Sequence, residues 1–569
     1  MIIYMRRMYT IYIRDKEEMQ MEESKVKIRF NIMAIILIII FCVAISPITL
    51  QNDTFYTIKI GEYITGNGIS ELDPFSWHTG LKYTFPHWGY DVMISLIYNA
   101  GGFLGIYIST IILSAIFGII MYLTNVKLTK NRVVSFVLTL GVIYLMKDYI
   151  AARAQLVTYV LFILTLFSIE RFLATKKKRY AIGLVVIPII IANIHVAVFP
   201  FYFILYLPYI GEYVAHYVAN SNITACKMRI KRLNNKIKKT SDNGVIEELN
   251  NKVLGLEKRK EELLQRREKI DKNAYKIIIN KNDNVKWLIV ILIICLFTGL
   301  FTPLGMTPYT YLIKTMQGDT VNGISEHLPL VLMQNINFIC VIIVFLAILM
   351  FTDTKIRLCD LLMLGGLLIL TFYSRRQESM FIISCVYILN RLICAMFDKY
   401  DPEGCEKLEK IMVRRVGQIT IIGIVLIMAI QVFKPKIGNT FVDENAYPVK
   451  AADYIVENLD MESMKLYNEY NYGSYLIYRG IPVFIDSRAD LYASEFNPGV
   501  TVFNDFMDIS NLGITNLQEK LDEYEITHLI MYSEAKLRIF LDSNEDKYEL
   551  IYDDDSFCIY KTIYDEDLV

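Results

Sequence analysis

The sequence predicts an α-helical polytopic membrane protein that carries a small α/β domain at its C-terminal end. Three observations carry this. Of 569 residues, 54% are hydrophobic and only 21% are charged, with a mean hydropathy of +0.36. A soluble chain of this size carries more charge. About eleven apolar stretches approach the roughly 20 residues that a spanning helix needs. Residues 434–569 reverse the composition, with 27 Asp and Glu against 11 Lys and Arg.

Residues 1–30 are charged and Met-rich and read as a cytoplasmic N-terminal segment, with Met19 and Met21 as alternative starts. The apolar run that follows is longer than a signal-peptide core and has no small-residue cleavage site, so it reads as an uncleaved anchor. The candidate spans are 31–50, 92–122, 133–147, 156–174, 181–197, 198–217, 286–303, 336–352, 358–373, 379–398 and 416–433, within a transmembrane domain of 31–433. Basic residues set the orientation. Lys25, Lys27 and Arg29, then Lys127 and Lys130, then "KKKR" (176–179), then Lys355 and Arg357, then Arg414 and Arg415 all fall on one side when the spans number eleven. The N-terminus is then cytoplasmic and the C-terminal domain extracytoplasmic.

Residues 220–284 interrupt the apolar pattern with a basic segment. Ile246, Leu249, Val253, Leu256, Leu263 and Ile270 recur at heptad spacing, and "SDNG" (241–244) breaks it. This predicts a cytoplasmic coiled-coil hairpin, either a solvated insertion or a docking surface for a partner or lipid headgroups. Residues 434–569 alternate strand-like runs ("VFID", "THLIMY") with amphipathic helical ones ("VKAADYIVENL", "NLQEKLDEY"), as a small α/β domain does. Its acidity argues against a nucleic-acid partner. The nine cysteines are scattered, without a CxxC pair, so neither a disulfide framework nor a zinc site is indicated.

Ionisable residues at membrane segments are functional candidates by default. With eleven spans they gather on the outer side, beginning with "QNDTFYTIKIGEYI" (51–64), which places Asp53 just beyond the first span. The same loop holds Asp73, in "DPFSW", and His87, in "PHWGYD". Further loops bring Arg153 in "KDYIAARAQ", His195 in "ANIHVAVFP", Glu326 in "GISEHLPL", and Arg375 and Arg376 in "YSRRQES". Arginines clamp phosphate oxygens in forked geometry, and a carboxylate at the bilayer edge can take a proton from an attacking hydroxyl. A lipid-linked sugar phosphate has its leaving group at that level, and glycosyl transfer favours nearby negative charge. In "FIDSRADLY", Asp486, Arg488 and Asp490 follow a strand end, as an ion-paired turn or a ligand loop.

The order of these motifs resembles the GT-C superfamily of polytopic membrane glycosyltransferases, and most nearly bacterial members that share "D…G…DPFSW…HW…D" after the first span. "RAQ", "NIH", "RRQ" and the C-terminal "LYNEYNYGSYLIYRGIPVFIDSRADLY" extend the likeness to nearly the whole chain outside the coiled insert. The resemblance implies an inverting transfer from a polyprenyl-phosphate-linked sugar donor to a cell-envelope glycan, lipid or protein acceptor, in contact with membrane lipid. It implies Asp53 as general base. Many members pair Asp with Glu there; this chain has Asp53–Thr54, so a second acid is either distant, with Asp73 the candidate, or absent. It implies Arg375 and Arg376 at the donor phosphate, with Arg153, His195, His87 and Glu326 as substrate contacts. Metal dependence varies across the superfamily, so a divalent cation, magnesium or manganese, is admitted but not required. Two other classes fit the same residues: a flippase for lipid-linked saccharides, which would need a polar path through the bilayer, and a non-catalytic envelope assembly protein.

Overall fold

The computed structural model describes the backbone of residues 2–240, 242–272, 276–318, 323–513 and 517–563, with side chains from residue 24 onward except 267 and 269–272. The first helix, α1 (Ile2–Ile45), stops two residues before Pro47, as the ring of a proline dictates. Next, α2 (Asn52–Asn67) ends on Gly68, whose φ of 78° suits a residue without a Cβ. The long α3 (Trp88–Thr129) is kinked at Gly102, which adopts a φ of 59°. A short turn leads to α4 (Arg132–Leu145), capped by the Asn131 side chain, which accepts from the Val134 amide at 3.0 Å. Then follow α5 (Ala154–Thr175), α6 (Lys178–Ile194), α7 (Phe199–Ile204) and α8 (Leu207–Ala219). The insert folds as two helices packed on each other, α9 (Ser221–Ile237) and α10 (Asn243–Lys272).

After the insert come a two-residue strand β1 (Ile277–Ile278), α11 (Val285–Leu296), α12 (Thr307–Gln317) and α13 (Ile336–Phe351). They are followed by β2 (Ile356–Arg357), which pairs parallel with β1, then α14 (Leu358–Tyr373), α15 (Glu378–Tyr400), α16 (Gly404–Val413) and α17 (Arg415–Phe433). Every expected span is helical, though 198–217 is divided into α7 and α8 and the first span ends at Ile45 rather than 50. Among the described residues six helical stretches are long and apolar enough to cross a membrane: Ser24–Ile45, Trp88–Thr129, Ala154–Thr175, Val196–Ala219, Arg375–Tyr400 and Arg415–Lys436. Four more are apolar but shorter. The bundle core packs α5 against α3, α6 and α15, and α1 against α3, α4 and α17. Apolar side chains also face outward, with Ile182 63%, Ile419 71% and Phe351 85% exposed, which suits lipid and not water. The chain is a membrane protein on these grounds.

The C-terminal region contains α18 (Val449–Asn458), β3 (Leu466–Tyr467), α19 (Gly473–Tyr478), α20 (Val502–Asn511), α21 (Leu517–Glu523), β4 (His528–Tyr532), α22 (Lys536–Asp542), β5 (Tyr548–Asp553) and β6 (Phe557–Thr562). Its sheet has the order β3–β4–β6–β5, with β3 parallel to β4 and the other pairs antiparallel. The expected strand at "VFID" is absent. Val483 makes a single bridge to Ser76. Side chains satisfy the next residue instead: the Phe484 amide donates to Asn468 Oδ1 at 2.8 Å, and its carbonyl faces His78 Nε2 at 2.9 Å. With its backbone groups taken, the segment has no ladder to join.

The C-terminal sheet shares one core with the first loop. Phe55, Ile60, Tyr83 and Phe85 pack in the same cluster as Leu466, Phe484 and Leu529. Phe55 meets Tyr447 and Tyr475 edge-on at 4.9 and 5.1 Å between ring centroids. Arg488 joins the two parts through ion pairs to Asp73 at 2.5 Å and to Asp486 at 2.8 Å. Its side chain is 1% exposed and both carboxylates are fully buried. Trp77 adds an indole hydrogen bond to the Leu466 carbonyl at 2.9 Å.

Candidate active site

Four chain segments meet where the bundle joins the C-terminal region. The first is α2, which begins at Asn52 and so puts Asp53 in its first turn, where free amides favour a carboxylate. Asn52 donates to the Tyr470 carbonyl at 3.0 Å, which ties this turn to the C-terminal region. Thr54 donates to the Ala152 carbonyl at 3.3 Å, which draws the second segment, just before α5, alongside. Arg153 occupies the residue that precedes α5, with an extended backbone, and its guanidinium reaches Asp53. Its other terminal nitrogen, Nη1, donates to Glu326 Oε1 at 3.0 Å.

Glu326 comes from the third segment, 323–328. Backbone bonds hold it to the fourth, the turn before α15. The Arg376 amide donates to the Glu326 carbonyl at 3.1 Å and the Arg375 amide to the Leu328 carbonyl at 3.0 Å. Glu326 and Arg376 are therefore neighbours through the main chain, whatever their side chains do. His87 and His195 meet similarly. The Val196 amide donates to the Pro86 carbonyl at 3.0 Å, and Gly89 packs so tightly on α6 that a Cβ there would lie 2.8 Å from the Asn193 carbonyl oxygen. The two imidazoles stand 5.0 Å apart between centroids. His195 Nδ1 is bonded to Thr158, while its buried Nε2 has no hydrogen-bond partner among the described residues.

These side chains line a cavity of about 620 Å³, roofed by Tyr470, Asn471, Ser487 and Asp490 of the C-terminal region. The electrostatics are mixed. Burial raises the Glu326 carboxyl, but Arg153 and then Arg376 more than offset it, so its pKa lies below the ordinary range. Burial lowers His327 to about 4, helped by Arg376. Asp490 goes the other way. Burial lifts it to about 6, against the pull of Arg488 and hydrogen bonds from Tyr311 and Thr84.

The structure is similar to that of the Archaeoglobus fulgidus oligosaccharyltransferase in its apo form, with a TM-score of 0.50 and 11% identity over 90% of this chain and 69% of that one. The chain has a GT-C fold. No protein-family profile matches it, and no curated protein matches it in sequence.

Within this GT-C fold, Asp53, His87, Arg153, His195, Glu326 and Arg376 all line the one cavity. Two expected residues do not. Asp73 is buried against Arg488 and accepts from the Ser76 amide at 2.8 Å, so it clamps the first loop to the C-terminal region and lies off the cavity lining. Arg375 lies off the cavity lining; its Nε is buried without a hydrogen-bond partner among the described residues, and its carbonyl accepts from Tyr149 at 3.4 Å. Asp490, read from sequence only as part of an ion-paired turn or ligand loop, lines the cavity. So do Tyr56, Tyr159, Tyr311 and Tyr470, which nothing in their spacing distinguishes from core aromatics.

A divalent cation needs oxygen or imidazole ligands converging on one point. Among the described residues no three His, Cys, Asp or Glu do so. The space between Asp53 and Glu326 holds the Arg153 guanidinium. The described residues do not fit a metal ion.

Proposed function

We propose that the chain is a membrane glycosyltransferase, transferring a sugar from a polyprenyl-phosphate-linked donor to a cell-envelope acceptor. The observation that carries this is the cavity itself: carboxylates and a guanidinium that has no ion-pair partner among the described residues share a volume of about 620 Å³ at the ends of apolar helices. That volume lies in the range of pockets that hold small-molecule ligands. Arg376 has no ion-pair partner among the described residues and is the group for the donor phosphate. Arg153 is committed to two carboxylates. The lipid chain would leave the cavity between apolar helices.

In the reaction the acceptor hydroxyl attacks the anomeric carbon opposite the phosphate. The C–O bond to phosphate breaks, the C–O bond to the acceptor forms, and the configuration inverts. The acceptor proton passes to Asp53, and the polyprenyl phosphate departs with its charge against Arg376. The transition state has oxocarbenium character. There the hydroxyl becomes acidic only as it bonds to carbon, so proton transfer is late. The negative charge of Asp53 and Glu326 favours that developing cation.

A flippase would need a polar path along the helices. The polar groups that α5 carries at its far end are closed instead. Glu170, roughly 22 Å along α5 from Gln155 in the cavity wall, is locked to Arg357 at 2.6 Å and to Tyr209 at 2.9 Å. The void beside it is about 10 Å³, at the limit of what admits one water.

The test is transfer from a panel of polyprenyl-phosphate sugars by the purified protein. The expected result is activity that Asp53→Asn lowers by roughly 10²-fold or more, the usual contribution of a general base. Undiminished transfer by a folded Asp53→Asn protein would remove the central assignment.

A further inference from the structure

Asp53 and Glu326 come from segments far apart in sequence, and Arg153 satisfies both with separate nitrogens of one planar fork. The three side chains are partly withdrawn from solvent, at 18%, 26% and 44% exposure for Asp53, Arg153 and Glu326. Two carboxylates facing one cavity repel, and a cation between them relieves that repulsion. A divalent metal is one such cation. A guanidinium is another, and it differs in two ways: its charge is permanent at any physiological pH, and it cannot leave. The backbone fixes where it sits. Arg153 precedes the first turn of α5, its amide donates to the Ala151 carbonyl at 2.8 Å, and Thr54 anchors the neighbouring Ala152 carbonyl to the helix that bears Asp53.

We propose that Arg153 is the resident cation of this site, occupying the position between Asp53 and Glu326 that a divalent metal would otherwise take, so that the protein binds no metal there and needs none. Arg153 is a positioning residue. It bridges both carboxylates and holds them at a fixed separation, and the metal-independence of catalysis rests on the glycosyltransferase reading above. Removing its side chain would leave two converging carboxylates without a cation, which is the start of a metal site.

The experiment uses Mn2+ alone as probe, bound to the full-length protein in detergent and read by electron paramagnetic resonance. Wild type is expected to bind no Mn2+ that depends on Asp53 or Glu326. Arg153→Ala is expected to gain one Mn2+ site that Asp53→Asn or Glu326→Gln abolishes, and Arg153→Lys to remain without it. In the transfer assay wild type should keep its full rate in excess EDTA. Loss of Arg153 should also move the acidic limb of the pH–rate profile upward, because Glu326 loses the stronger of the two cations that hold its pKa down, with Arg376 remaining. One wild-type Mn2+ that Asp53→Asn or Glu326→Gln removes would overturn the proposal, as would an EDTA-sensitive rate restored by Mn2+. Should Arg153→Ala fail to fold, the wild-type titration with the two carboxylate variants decides alone. Should no donor be turned over, the glycosyltransferase reading fails while the Mn2+ result still stands for or against Arg153.

Discussion

The two arginines of "SRRQ" look equivalent in sequence and are not equivalent in space. Arg376 lines the cavity and Arg375 does not. Arg376→Ala is therefore expected to slow transfer by about 10- to 100-fold, the ~1.5–3 kcal/mol of a charge-assisted hydrogen bond. Arg375→Ala should leave the kcat/KM for the donor within a few-fold. Steady-state kinetics on the pair distinguishes them, and equal losses would count against Arg376 as the phosphate group. Asp490 offers a second test. Its pKa of about 6 exceeds the ordinary carboxyl value, so the folded protein binds that proton more tightly than the unfolded chain does. The stability it contributes is fully present at low pH and lost as pH rises through about 6. Asp490→Asn should abolish this part of the pH dependence of Tm, and an unchanged profile would show that Asp490 does not titrate there.

At the scale of elements, the motif "DPFSW" forms a clasp between the first loop and the C-terminal region. Asp73 pairs with Arg488, Trp77 bonds to β3, and Arg488 lies over Tyr83 at 4.9 Å from its centroid. Deleting one member of a buried pair strands the other charge, so Asp73→Asn is expected to cost about 3 kcal/mol. A melting curve in detergent would show it as a lowered Tm, with catalysis retained below the transition. This is also where sequence reading reached its limit. Charge types and loop positions were legible, because a carboxylate or guanidinium at a span end must have a reason. Whether Asp73 turned toward Asp53 or toward a residue over 400 positions later was not, since pairing across that distance leaves no local periodicity. The apolar helices and the two packed helices of the insert were legible from hydropathy and heptads; which of them cross the bilayer is an expectation. The "VFID" strand was misread because its β-forming side chains were visible and the side chains of Asn468 and His78 that capture its backbone were not.

For the whole molecule, the resemblance drawn from ordered motifs and the GT-C fold agree, and the six residues that share the cavity come from segments spanning positions 53 to 376. Orientation in the bilayer follows from the basic loops and is a prediction at this scale. Single cysteines at Asp53, Arg376 and Ser487, all on the cavity wall, should react together with an impermeant thiol reagent on whole cells. A cysteine in the α9–α10 hairpin should stay protected until the membrane is opened. Labelling of the hairpin in intact cells would invert the topology.

The core shared by the first loop and the C-terminal sheet also orders events during synthesis. Trp77 waits for Leu466 and Asp73 for Arg488, separations of 389 and 415 residues. A ribosome has inserted nearly every helix before either partner exists, and each of these contacts closes one of the longest loops the chain can form. During that interval the segment around "DPFSW" has no core to join, and the cavity has walls but no roof. The cavity is therefore finished last, and a chain interrupted at any point before the sheet yields a helical bundle whose cavity lacks its C-terminal wall.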